Sequence, residues 1–127
     1  MAIADYQTSI MTGLIDSLEK APLPALRQRR RRLVKRLPPL EAVLPGSLIE
    51  RYKRCGKSGC KCAHGRGHGP KYYLSVSQSG ARPRMDYVPC DYQQQVLRYV
   101  ENYQQAREIL KQICAINREL LRRRKRL

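Results

Sequence analysis

The chain has 127 residues and a formal net charge of +16, with 26 Lys and Arg against 10 Asp and Glu. That length suits one domain, or a small domain with helical extensions, and a core thin enough to need a metal, a disulfide or a partner chain. An apolar content of 42% excludes a wholly disordered basic tail, and there is no apolar run of about 18 residues to span a membrane.

The first segment, MAIADYQTSIMTGLIDSLEK, has three acids, Asp5, Asp16 and Glu19, and no basic n-region, so it does not read as a signal peptide. A cytoplasmic location is the resulting expectation, nucleoid-associated if the partner is DNA. Ile3, Tyr6, Ile10, Leu14 and Leu18 recur every three or four residues, with Met11 and Ile15 beside them, which predicts an amphipathic helix over 3–20. Pro22 and Pro24 should end it. A second helix is expected over 25–37, apolar at Leu26, Leu33, Val34 and Leu37 and bounded by Pro38-Pro39. Seven of the ten residues 27–36 are basic: Arg27, Arg29, Arg30, Arg31, Arg32, Lys35 and Arg36.

Residues 46–90 change character. GSLIERYKR reads as a short strand, and it leads into the knuckle CGKSGCKCAHGRGHG. PKYYLSVSQ and ARPRMDYVP, separated by Ser79-Gly80, predict a hairpin, with Pro83 marking an edge strand. From 91 to 126 there is no Pro or Gly. Asp91 is a plausible N-cap. Val96, Val100, Tyr103, Ala106, Leu110, Ile113, Asn117 and Leu120 then form a stripe, widened by Leu97, Ile109, Ile116 and Leu121. One helix of about 50 Å follows from a rise of about 1.5 Å per residue. Either the N-terminal helices or a second copy must cover it, and Asn117 on the seam could fix register. The expected fold is α+β: a basic helical arm over 1–45, a zinc-stabilised hairpin or three-stranded unit over 46–90, and a long C-terminal helix over 91–127.

Cys55, Cys60, Cys62, His64 and His68 fall within 14 residues, with four glycines between them and Gly69 directly after. In a reducing compartment clustered thiols and imidazoles read as metal ligands, and four of them suit a structural Zn²⁺. Cys55, Cys60 and Cys62 are the first three candidates. His68 is preferred as the fourth because it sits directly before Gly69-Pro70 and the hairpin. His64 and Cys90 stay open as alternatives, as does an iron–sulfur cluster on the four Cys 55, 60, 62 and 90. Cys114 lies mid-helix and reads as a core or edge residue. No acid occurs between Glu50 and Asp86. The surrounding cations therefore favour phosphate contact over proton abstraction, and no catalytic residue or small-molecule substrate is expected.

The central block resembles a family of small bacterial and archaeal proteins of uncharacterised function. The likeness rests on Gly46-Ser47-Leu48, Arg54-Cys55-Gly56-Lys57, Cys60-Lys61-Cys62, His68-Gly69-Pro70 and Tyr72-Tyr73-Leu74-Ser75. It continues through Tyr87-Val88-Pro89 and Asn102-Tyr103, covering about 46–121 and leaving the basic arm outside. The resemblance implies metal ligation by Cys55, Cys60, Cys62 and His68, and an accessory role near transposases or other mobile elements.

Charge is concentrated in three clusters: the 27–36 arginines; Arg51, Lys53, Arg54, Lys57, Lys61, Arg66 and Lys71 around the knuckle; and Arg122, Arg123, Arg124, Lys125 and Arg126 at the C-terminus. So many cations with so few acids point to a polyanion, DNA first and RNA as the alternative. Tyr52, Tyr72 and Tyr73 could stack on unpaired bases or fill the core in place of the absent Phe and Trp. The function expected is a zinc-binding, DNA-binding accessory factor. The competing readings are an RNA-binding or protein-docking subunit of a ribonucleoprotein or nuclease assembly, and, less favoured, a zinc nuclease. Homodimerisation or docking to a larger protein would use 91–121.

Overall fold

The computed structural model describes residues 17–57, 59–60, 65 and 67–127. Within them the fold is α+β. Residues 17–20 are helical, followed by α1 (Leu23–Lys35), β1 (Ser47–Lys53), β2 (His68–Gln78), β3 (Ala81–Val88), a 3-10 turn (Cys90–Tyr92) and α2 (Gln93–Arg122). The expected helix over 3–20 is described only from residue 17. Among the described residues no helix is long and apolar enough to cross a membrane.

The chain divides into two units, 38–104 and the remainder on either side, and α2 contributes residues to both. In the helical unit, Leu18, Leu26, Leu33, Ile109, Ile116 and Leu120 form a buried cluster, with Ala21, Leu23, Leu37, Ile113 and Ala115 against it. Helix α1 starts two residues before the expected position. Pro22 is its N-cap and Pro24 sits in its first turn, where a missing N–H costs nothing. The prolines expected to end one helix therefore begin the next. Gln105 donates to the Arg36 carbonyl at the far end of α1 (3.4 Å).

The expected α2 stripe is buried at Val100, Ala106 and Leu120, and Leu110 within it is 51% exposed; of the residues expected to widen it, Ile109 and Ile116 are buried and Leu97 and Leu121 are 46% and 64% exposed. Asn117 accepts a hydrogen bond from Arg30 (2.7 Å), so its partner lies within the chain. Cys114 is exposed. Asp91 lies inside the 3-10 turn, which Pro89 precedes, so it is not the N-cap of α2. The helix ends at Arg122 and not near 126. The Arg124 amide bonds the Leu121 carbonyl and the Lys125 amide bonds that of Leu120, with Arg124 at φ 53°. This is a Schellman stop.

The other unit holds an antiparallel sheet in the order β1-β2-β3, so β3 with Pro83 is an edge strand. Leu48 pairs with Leu74, and Leu74 with Asp86; Tyr72 pairs with Val88. Leu74, Val88 and Val100 form the core here, with Leu44, Leu48, Tyr72, Val76 and Val96 around it. One face of the sheet is thereby covered by the start of α2. The 38–46 connection is fastened to the same helix, Leu44 N–H to the Tyr99 carbonyl (3.1 Å) and Asn102 to the Ala42 carbonyl (2.9 Å).

Candidate metal centre

Strand β1 delivers the chain to Arg54 and Cys55, and β2 starts at His68 opposite Lys53. The two knuckle ends are thus brought together by strand pairing. Cys55, Cys60 and His68 offer ligand atoms that all lie within 4.8 Å of one another, a group that could hold a metal ion. Cys60 Sγ is 3.3 Å from His68 Nε2. Tetrahedral zinc, with Zn–S of about 2.3 Å and Zn–N of about 2.0 Å, sets sulfur and nitrogen roughly 3.5 Å apart, so the donor set and spacing fit.

Backbone shape is what permits this approach. Gly67 has φ +95°, and a Cβ there would lie 2.7 Å from the Lys53 carbonyl carbon and 2.9 Å from the Arg54 nitrogen. Any side chain at 67 would force apart the two strand ends that present Cys55 and His68. Gly56 also has a positive φ, +75°, but faces open space, so substitution there meets only backbone strain. Arg54 reaches across the knuckle to the Gly65 carbonyl (3.3 Å).

Cys62, His64, Lys61 and Arg66 lie outside the described residues. Cys90 is exposed and accepts a weak contact from Gln93 (3.8 Å); it does not join the group of three. No carboxylate joins it among the described residues either. Glu50 and Tyr72 pair across β1 and β2, and the carboxylate is the main cause raising the Tyr72 phenol above its ordinary value.

Of the expected phosphate-binding cations, Arg51, Lys53, Arg54, Lys57 and Lys71 are exposed in the sheet unit. Arg31, Arg32, Lys35 and Arg36 are exposed on or beside α1, and Arg29 is half-buried. Others have partners in the protein. Arg27 donates to the Arg126 carbonyl (3.0 Å) and Arg30 to Asn117. Arg122 and Arg123 both grip Glu119, and Arg123 also donates to the carbonyls of Leu18 (2.9 Å) and Glu19 (3.0 Å). Arg124, Lys125 and Arg126 are exposed past the helix stop.

Sequence reasoning overlooked one constellation. Tyr73 and Tyr87 face each other across β2 and β3, ring centroids 5.7 Å apart and inclined by 66°. The adjacent Tyr72 packs on the core, so the Tyr72-Tyr73 pair serves both faces of the sheet.

The chain matches the model of a family described as a domain of unknown function, DUF6788, over residues 23–98. The match takes in α1, which the resemblance drawn from the knuckle had left out, and stops short of residue 121. No curated protein and no solved structure matches it.

Proposed function

The chain belongs to the DUF6788 family, whose description carries no function, and we propose from its own residues that it is a zinc-stabilised nucleic-acid-binding protein. The observation that carries this reading is the convergence of Cys55, Cys60 and His68 where β1 and β2 meet, amid exposed Lys53, Arg54 and Lys57. Two thiolates and an imidazole suit zinc over harder cations, and Cys62, two residues beyond Cys60, completes the set of four ligands expected from the sequence. The metal's part is structural: it ties the strand ends together in a unit whose buried core, among the described residues, is Leu74, Val88 and Val100. Its cationic surround and the net charge of +16 favour phosphate as the ligand. Zinc and cations together fit an accessory, non-catalytic subunit of a nucleoprotein complex.

The test is elemental analysis of the full chain purified from zinc-supplemented cells, followed by titration with DNA and RNA across a range of salt. About one zinc per chain is expected, lost in Cys60→Ser and Cys62→Ser and kept in Cys90→Ser. Affinity should fall steeply, linearly in log–log form, as salt rises. Metal-free protein, or binding indifferent to salt, overturns the reading.

A further inference from the structure

We propose that the face of the three-stranded sheet opposite its core is a binding surface for single-stranded nucleic acid, with bases stacking on Tyr73 and Tyr87 and phosphates held by Arg51, Lys53 and Lys71. The proposal rests on the nucleic-acid reading above and names the form of nucleic acid and the surface.

Side chains alternate between the two faces of a strand, and paired residues share a face. Leu48, Leu74, Tyr72 and Val88 face the core, so the opposite face is fixed by register. Ile49, Tyr73 and Tyr87 form one row across all three strands. Ser47, Ser75 and Met85 form the row on one side, and Arg51 and Lys71 the row on the other. None of these positions is acidic. Tyr87 is 58% exposed although it sits in a strand, and half-buried Tyr73 packs against it in an inclined, edge-type contact. A groove of about 420 Å³ runs between the aromatic and basic rows, lined by Arg51, Tyr52, Lys53, Lys71, Tyr73 and Met85. Arg51, Lys53 and Lys71 enter no ion pair among the described residues.

Aromatic rings beside unpaired cations match a partner that offers flat π-faces and regularly spaced anions, which is a strand of unpaired nucleotides. A duplex hides its base faces by stacking and could use only the cations. A protein partner fits less well, because lysine is depleted from the cores of such interfaces. His68 pairs with Lys53, so the candidate metal group lies at the end of this surface and fixes the basic edge of the groove.

The test uses the zinc-loaded full chain and labelled oligomers of one length: single-stranded DNA, single-stranded RNA and duplex DNA. Both single strands should bind more tightly than the duplex. Tyr87→Ala should weaken single-strand binding about 5- to 100-fold, the range expected for one lost stacking partner, and leave duplex binding unchanged. Tyr87→Phe, which keeps the ring, should bind as the parent does. Photocrosslinking of an oligomer to the unmutated chain gives a second readout that needs no variant to fold, and crosslinks should map to residues 71–88. Equal affinity for strand and duplex, an unaffected Tyr87→Ala, or crosslinks confined to other segments overturns this assignment while nucleic-acid binding stands. Failure to bind any of the three oligomers overturns the broader reading as well.

Discussion

Glu119 shows how much of the positive charge has work inside the protein. Its side chain is 7% exposed, yet it is a carboxylate on a strongly basic chain. Hydrogen bonds from Arg122 and Arg123 hold its carboxyl down to about 2 from the ordinary 4.5, against the opposing effect of burial. Because the folded value is depressed, the ionised form stabilises the fold above the unfolded value, and that contribution disappears as pH falls from about 4.5 towards 2. The urea midpoint of the helical unit should therefore drop across this window. In Glu119→Gln the midpoint should start lower at neutral pH and vary less over the same range, and parallel curves for the two proteins would refute the assignment. A run of arginines looked in the sequence like a surface for phosphate. Glu119, three and four residues before Arg122 and Arg123, is a partner the helical spacing offers locally, but nothing local reveals that Arg123 also donates to two carbonyls more than a hundred residues earlier.

Among the elements, the strands and helices were legible and their ends and registers less so. Apolar periodicity located α1, α2 and the hairpin because burial imposes that period. It could not show where α2 stops, since the residue in the left-handed position is Arg124 and not glycine. An L-residue there carries a conformational cost of about 1–2 kcal/mol. Arg124→Gly should raise stability by about 1 kcal/mol, less whatever the added freedom of the unfolded chain takes back. Thermal denaturation checks this, with Arg124→Ala controlling for the lost charge; a midpoint that does not rise above that control would refute it. The sheet hides a comparable detail. Gln78 pairs with Ala81, and simple continuation would set Tyr72 opposite Tyr87. Instead Arg82 and Pro83 together oppose Ser77, which shifts the register by one and brings Tyr73 to Tyr87. Gly69 and Pro70 oppose Tyr52 in the same way at the other end. Each bulge contains a proline, which has no N–H to give to a ladder. A one-residue shift exchanges the faces of a strand, so the aromatic pair could not be read from the sequence before the bulge was located.

At the scale of the whole molecule, the two units have separate cores, and only one contains the candidate metal group. The cysteine spacing revealed the site's location because ligand type and glycine content are local properties. The division of α2 between units was not legible, since its apolar positions continue without a break. The division predicts what metal removal should do. If the proposed metal ties β1 to β2, chelation removes that tie from the sheet unit, whereas Leu26, Leu33, Ile109, Ile116 and Leu120 pack without it. Binding energy of this kind is folding energy for the unit that holds the metal. Hydrogen exchange on the chelated protein should therefore show lost protection in β1, β2 and β3, with the helical unit retaining it. Along α2 the protection should change near residues 104 and 105, where the helix passes from one unit to the other. Restoring zinc should restore the strand amides. Unchanged exchange in the sheet would refute a structural metal, and simultaneous loss in both units would refute their independence.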